Sequence, residues 1–360
     1  MAIDGLDREF WAGKRVLLTG HTGFKGAWAS LWLARMGADV TGFSLAPETE
    51  PSHFELAAAE GATRSHIGDL RDIEALRCAV EAADPEIVIH MAAQPLVRRS
   101  YAGPVDTFAV NVMGTVNLLE SLRGRQALRT ILVVTTDKVY ENAEAGVSFR
   151  EEDPLGGHDP YSASKAAAEI VTSSYARSFF AEAGVRVATA RGGNVIGGGD
   201  FSEDRLVPDI WRALHAGEPL VLRNPAAARP WQHVLDCLCG YFSYVRGLHD
   251  GADLPAALNF GPPPDAAPVT VAALAEAVQA ALGGGKWKPA NDTGPHEMMT
   301  LEIDSRKARA CLGWKDRLAG APCVEWLAAW YRALNDGADM HEVTSGQIEA
   351  FEALHRENEG

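Results

Sequence analysis

Arg15-Val16-Leu17-Leu18-Thr19-Gly20-His21-Thr22-Gly23-Phe24-Lys25-Gly26 holds the key to the fold. An apolar run ends in a glycine turn, and from Phe24 to Met36 apolar residues recur at helical spacing through Ala27, Trp28, Leu31 and Trp32. Strand, glycine turn and helix in that order make a glycine pattern a dinucleotide fingerprint. Gly20 permits the tight turn, Gly23 lets backbone N–H groups approach a pyrophosphate at the helix N-terminus, and Gly26 lets the helix sit close to the sheet. Thr22, Phe24 and Lys25 complete the candidate cofactor-binding turn.

Outward from this turn the alternation repeats. Strands are expected at 40–43, 65–67, 87–91, 130–135 and 185–191, and helices at 72–83, 105–122 and 161–183. Strands alternating with helices pair in parallel through right-handed crossovers, which predicts an α/β fold, a Rossmann-type doubly wound parallel sheet. Past Arg191 the regularity stops at Gly192-Gly193-Asn194-Val195-Ile196-Gly197-Gly198-Gly199-Asp200. Short strands (219–223) and helices (206–214, 271–282) then read as a smaller mixed α/β C-terminal substrate lobe. The boundary is expected near residue 195, giving a dinucleotide-binding domain over 1–195, to which later segments can return, and a second lobe over 196–360.

The 360 residues carry 33 basic and 48 acidic side chains, a net charge of -15, so the molecular field repels polyanions. Nucleic acid and anionic membrane are not expected partners, whereas a helix N-terminus or a few arginines can still hold a small anion. With 47% hydrophobic and 22% charged residues the composition is that of a globular protein with a large core. Cys78, Cys237, Cys239, Cys311 and Cys323 are scattered, forming neither a disulfide framework nor a metal site, so no metal is expected. The N-terminal MAIDGLDREFWAGKR has no apolar run of signal-peptide length, and no membrane-spanning run follows. A cytoplasmic protein is expected.

Tyr161 and Lys165 form Tyr161-Ser162-Ala163-Ser164-Lys165, an i, i+4 pair on one helix face. In such a pair the ammonium stabilises a phenolate and makes a general base for an alcohol. With the spacing GxxGxxG, the pair resembles the extended short-chain dehydrogenase/reductase family over nearly the whole chain. The acid expected on the ribose hydroxyls is missing: the second strand ends Phe43-Ser44-Leu45, with Glu48 the nearest acid downstream. No arginine stands there for a 2′-phosphate, which favours NAD over NADP. Asp69, with Leu70 next to it, follows the third strand and is a candidate acceptor for adenine, with a helix cap as the alternative. Ala92 and Ala93 leave room for the dinucleotide after the fourth.

Four further segments, 135–140, 154–161, 193–200 and 229–233, resemble the nucleotide-sugar 4,6-dehydratases of that family, with CDP-glucose the favoured substrate. The resemblance implies an NAD-dependent lyase in which Tyr161 takes the 4-hydroxyl proton and Thr136 bonds O4. It further implies Asp137 as the acid at O6 and Lys138, where the thymidine-sugar enzymes carry Glu, as the base at C5. A lysine serves as base only when neutral, which desolvation, Lys165 and the positive nicotinamide ring would favour. Gln94, Asn194, Arg205 and Arg229 are candidates for the nucleotide diphosphate sugar. Asn111 matches a position that bonds main chain near the cofactor, or is a packed core amide. The same resemblance implies a homodimer, or homotetramer, joined through the helices starting near Val105 and Tyr161. Two alternatives are another nucleotide-sugar 4,6-dehydratase or 4-epimerase, and a non-catalytic dinucleotide sensor.

Overall fold

The computed structural model describes residues 3–144, 146–291, 294 and 298–357. Seven parallel strands form the central sheet: β1 (Arg15–Thr19), β2 (Asp39–Ser44), β3 (Arg64–Ile67), β4 (Ile87–His90), β5 (Thr130–Val134), β6 (Arg186–Gly192) and β7 (Ala257–Phe260). Their spatial order is β7-β6-β5-β4-β1-β2-β3, so the direction of winding reverses between β1 and β4. Ligands of doubly wound sheets bind at that crevice, beyond the carboxyl ends of the strands.

The inner strands β1, β4 and β5 are buried on both faces, and their side chains divide with period two. Val16, Leu18, Ile87, Ile89, Leu132 and Val134 join one core. Leu17, Val88, Ile131 and Val133 join the other. The first core is shared with α1 (Phe24–Arg35) and the long helix Val234–His249, and the second with α2 (Ile73–Ala83) and the helix Gly114–Leu122. Two covered faces explain why these strands read as continuous apolar runs rather than as alternating ones.

The glycine turn is sterically determined. Gly20 has φ +79°, and a side chain there would meet Ala92 N at 2.7 Å, just past the end of β4. A Cβ on Gly26 would lie 2.0 Å from the Gly20 carbonyl oxygen. Gly26→Ala is therefore expected to destabilise the protein by about 1–3 kcal/mol, the usual range for forced overpacking. Urea unfolding checks this, and an unchanged midpoint would contradict it.

Two expected helices are interrupted. The 105–122 segment is helical over Pro104–Phe108, widens into a π turn over Ala109–Met113, and resumes over Gly114–Leu122. The 161–183 segment is an α-helix over Pro160–Tyr175, here α3, and ends in a second π turn over Ala176–Phe180. Beyond residue 195 the chain comes back to the sheet: Val234–His249 packs beneath it, and β7 pairs with β6 in the register Leu258↔Ala190. The remaining smaller elements include Leu206–Ala216, Val271–Ala281 and the pair Leu220–Leu222 with Trp287–Pro289.

Candidate active site

The strand ends are stitched together by buried polar groups. Thr19 Oγ1 lies 2.7 Å from His90 Nδ1 and accepts from the N–H groups of Met91 and Ala92 at 3.2 Å. Burial pushes the His90 imidazole down to about 3, so it serves as a neutral hydrogen-bonding spacer. Gly23 caps α1 without a side-chain hydrogen bond, and the first turn holds no acid. The dipole end of α1 is thus uncompensated and faces the crevice, a positive site suited to a phosphate. The Thr22 hydroxyl is committed to the end of β2, reaching Ser44 Oγ at 2.9 Å and the Leu45 carbonyl at 2.8 Å. Open backbone at Gly23, close approach at Gly20 and Gly26, and this uncapped N-terminus fit a dinucleotide.

Ser44 ends β2, and Glu48 is held by Arg99 at 2.9 Å. Asp69 accepts from the backbone and guanidinium of Arg71, at 2.9 Å and 2.6 Å, and Arg71 lowers its carboxyl below the usual range. The cap of α2 is Asp72, not Asp69. Leu70 is buried against Gly114.

Asn111 sits in the middle of the π turn with its amide wholly engaged. Oδ1 accepts from Gln94 N at 2.8 Å, and Nδ2 donates to the Gln94 carbonyl at 3.1 Å and to Ser164 Oγ at 2.9 Å. The bulge thereby ties the loop holding Ala92, Ala93 and Gln94 to the Tyr161/Lys165 helix. The Gln94 side chain is turned back on its own loop, bonding Leu96 N at 2.7 Å, the Leu96 carbonyl at 3.1 Å and Thr107 Oγ1 at 2.9 Å.

Thr136, Asp137 and Lys138 follow β5 in a short 3-10 turn. Thr136 Oγ1 donates to Asp137 Oδ1 at 2.9 Å, and Lys138 Nζ lies 3.7 Å from the same oxygen. Asp137 is 1% exposed, and its Oδ2 has no hydrogen-bond partner among the described residues. An orphan buried carboxylate oxygen is costly unless a ligand completes it.

Lys165 donates to the Val134 carbonyl at 2.8 Å, and burial lowers its ammonium to about 8, against the opposing pull of Glu169. Tyr161 departs from expectation. Burial pushes its phenol up to about 12, partly offset by the Thr136 hydroxyl. The cost of burying a phenolate outweighs the neighbouring positive charges in the protein alone.

Beneath these groups lies a buried ion pair. Arg191 grips Glu169 with two bonds, Nε to Oε1 at 3.1 Å and Nη2 to Oε2 at 2.9 Å. Glu169 also accepts from Thr135 Oγ1 at 2.5 Å, and Arg191 Nη1 donates to Tyr140 OH at 2.8 Å. Thr135 and Tyr140 are the residues on either side of the 136–139 turn, so the pair clamps both of its ends.

One cleft runs from Thr136, Asp137, Lys138 and Tyr161 to Asn194, Arg205 and Arg229. Arg205 Nη1 lies 3.4 Å from Asp200 Oδ2. The Arg229 guanidinium bonds the carbonyls of Ala228, Met298 and Met299, fixing its own lobe. Sequence reasoning missed Arg98 and Arg223, which line the same cleft and converge on Asp204, at 3.7 Å and 2.8 Å. A lone arginine far along the chain carries no signal of such convergence.

A dinucleotide cradle opening onto a buried Tyr/Lys pair, with a second acid/base turn beside it, defines a nicotinamide-dependent protein that works on an alcohol carbon. The comparisons agree. The chain belongs to the NAD dependent epimerase/dehydratase family, whose sequence profile matches residues 16–251. It is 44% identical over 352 residues to a CDP-glucose 4,6-dehydratase of Salmonella typhimurium, covering 96% of this chain and 98% of that one. A dTDP-glucose 4,6-dehydratase of Streptomyces venezuelae, solved with NAD and TYD bound, has a similar fold, with a TM-score of 0.76 and 25% identity over 91% of this chain and 99% of that one. A Thermus thermophilus UDP-glucose 4-epimerase solved with NAD has a TM-score of 0.75 and 26% identity, over 88% of this chain and 98% of that one. Among the described residues no helix is long and apolar enough to cross a membrane. No group of three or more His, Cys, Asp or Glu stands placed to hold a metal among them.

Proposed function

We propose that this protein dehydrates CDP-glucose to its 4-keto-6-deoxy product, by oxidation at C4, loss of water across C5 and C6, and reduction at C6. The observation that carries the reading is Asp137, buried with one oxygen unpartnered beside Lys138, in the cleft that Tyr161 also lines. When bound, NAD would supply a hydride acceptor at C4 and the same hydride for C6, with no net change in its own oxidation state. Gly20, Gly23 and Gly26, with the N–H groups opening α1, would hold its pyrophosphate. Ala92 and Ala93 would flank it.

Tyr161, once ionised, accepts the O4 proton while Thr136 bonds O4, and the Lys165 ammonium favours the phenolate that must form before that transfer. The C4 ketone acidifies C5–H; Lys138 in its neutral form takes that proton and protonated Asp137 delivers its own to O6 so that water leaves. As the hydride arrives at C6, Lys138 returns a proton to C5, and Asp137 regains from solvent the proton it gave up, matching the one that Tyr161 took from O4 and releases. Asn111 acts through the Gln94 backbone and Ser164 and is a positioning residue. Asn194, Arg98, Arg205 and Arg223 would offer donors to the diphosphate. The 44% identity to the Salmonella enzyme supports cytosine as the base. Residues 1–195, with the returning segments 234–249 and 257–260, would form the dinucleotide lobe, and the rest of 196–360 the nucleotide-sugar lobe.

Val105, Phe108, Met113, Ile170 and Phe179 are exposed on the helices 104–122 and 160–180, with Val105 at 81%. Such a patch suits a homodimer seam in a soluble cytoplasmic enzyme.

Incubation with CDP-, UDP-, GDP- and dTDP-glucose, read by mass, tests the reading. Loss of one water from the CDP sugar is expected, and an unchanged mass for all four would contradict it. Lys138→Met is expected to abolish solvent deuterium uptake at C5, measured by NMR of the product. Uptake at the wild-type rate would remove Lys138 from the role of base.

A further inference from the structure

The glycine turn contains a cation that phosphate binding alone does not explain. Lys25 is the second residue of α1, and its Nζ stands 5.3 Å from the ring centroid of Tyr241, on the helix Val234–His249 beneath the sheet. Tyr241 is fully buried and presses its hydroxyl against Gly192, at the end of β6, where a Cβ would meet it at 2.4 Å. The Lys25 side chain therefore turns from the pyrophosphate end of the crevice toward the strand ends that carry the reacting groups. Its charge adds to burial in holding down the Lys165 ammonium, against the pull of Glu169. Among the described residues no carboxylate lies within ion-pair distance of Lys25.

We propose that Lys25 biases the bound nicotinamide toward its reduced form, destabilising the oxidised cofactor and so favouring hydride removal from C4. The inference rests on the reading of the cleft as an NAD site. A hydride acceptor must reach the carbon whose hydroxyl Tyr161 deprotonates, which brings the ring into the field of Lys25 and Lys165. The oxidised ring is a cation and the reduced ring is neutral, so a nearby ammonium raises the energy of one form and leaves the other almost untouched. A lysine that only held the pyrophosphate would strengthen both forms equally, because the phosphates carry the same charge in each.

Titration of the full chain with NAD and, separately, NADH, without sugar nucleotide, distinguishes the two roles. In Lys25→Met the affinity for NAD relative to NADH is expected to rise about tenfold. That is the order expected for one unit charge acting across several ångström at an effective dielectric of about 20 to 40. For a two-electron couple this equals a lowering of the bound potential by about 30 mV. Lys25→Arg, which keeps the charge, is expected to retain the wild-type ratio, and Lys25→Gln to follow Lys25→Met. An unchanged ratio in both neutral variants, or equal loss of both affinities, would overturn the proposal and leave the NAD reading standing. Failure of the wild-type chain to bind either form would overturn both.

Discussion

Tyr161→Phe is expected to lower kcat by about 10²- to 10⁴-fold while KM and NAD affinity stay close to wild type, the range set by loss of a positioned general base. The phenol is 8% exposed, and burial holds its proton up to about 12, so the hydroxyl is the resting form at neutral pH. That proton must pass to solvent before the oxygen can accept the one on O4, a loss that the ammonium of Lys165 and the positive ring of bound NAD would favour. The Thr136 hydroxyl and the Arg205 charge both pull the phenol down, against its burial. Both aids act on the oxygen, and removing the oxygen removes the base with no nearby substitute: Lys165 is turned to the Val134 carbonyl at 2.8 Å. Steady-state kinetics with CDP-glucose check this, and a variant retaining more than a tenth of wild-type kcat would contradict the assignment. Tyr140→Phe provides a contrast, since that hydroxyl faces Arg191 and Asn259, not the cleft.

Glu169→Ala is expected to destabilise the protein by about 3–5 kcal/mol, the cost of leaving one member of a buried ion pair uncompensated. Arg191 and Glu169 are 5% and 4% exposed and joined by two bonds, so removing the carboxylate strands a guanidinium deep in the fold. The loss spreads to Thr135 and Thr189, which both donate to Glu169. Because Thr135 and Tyr140 bracket the Thr136–Lys138 turn, the damage also reaches the candidate acid and base. Replacing both members, Glu169→Leu with Arg191→Met, is expected to recover part of the loss, since no charge is then left unpaired. Equilibrium unfolding in urea measures both. A loss below about 1 kcal/mol for Glu169→Ala, the level of an exposed pair, would contradict the role given to this clamp.

The sheet was legible because its physics is local. Residues 15–19, 87–90 and 130–134 are apolar runs that only a strand covered on both faces needs, and the glycines of the first turn have no other economical use. The π turn at Ala109–Met113 was not legible, because apolar periodicity barely changes when a helix gains one residue. Yet that turn brings Asn111 to Gln94 and Ser164. The return of Ala257–Phe260 to the sheet was left open by the sequence, since a four-residue strand far along the chain names no partner.

The site divides in the same way. Thr136, Asp137 and Lys138 directly follow β5, and Tyr161 and Lys165 stand one turn apart on α3, so their motifs announced them. Arg98 and Arg223 are separated by more than a hundred residues and meet only at Asp204. The direction of the Tyr161 shift depends on burial, which only the folded chain supplies.

The central claim is that one hydride leaves C4 and returns to C6 of the same sugar without exchanging with solvent. CDP-glucose carrying tritium at C4 tests it most directly: the account predicts label at C6 of the 4-keto-6-deoxy product, and label that stays at C4 or is lost to water would contradict it.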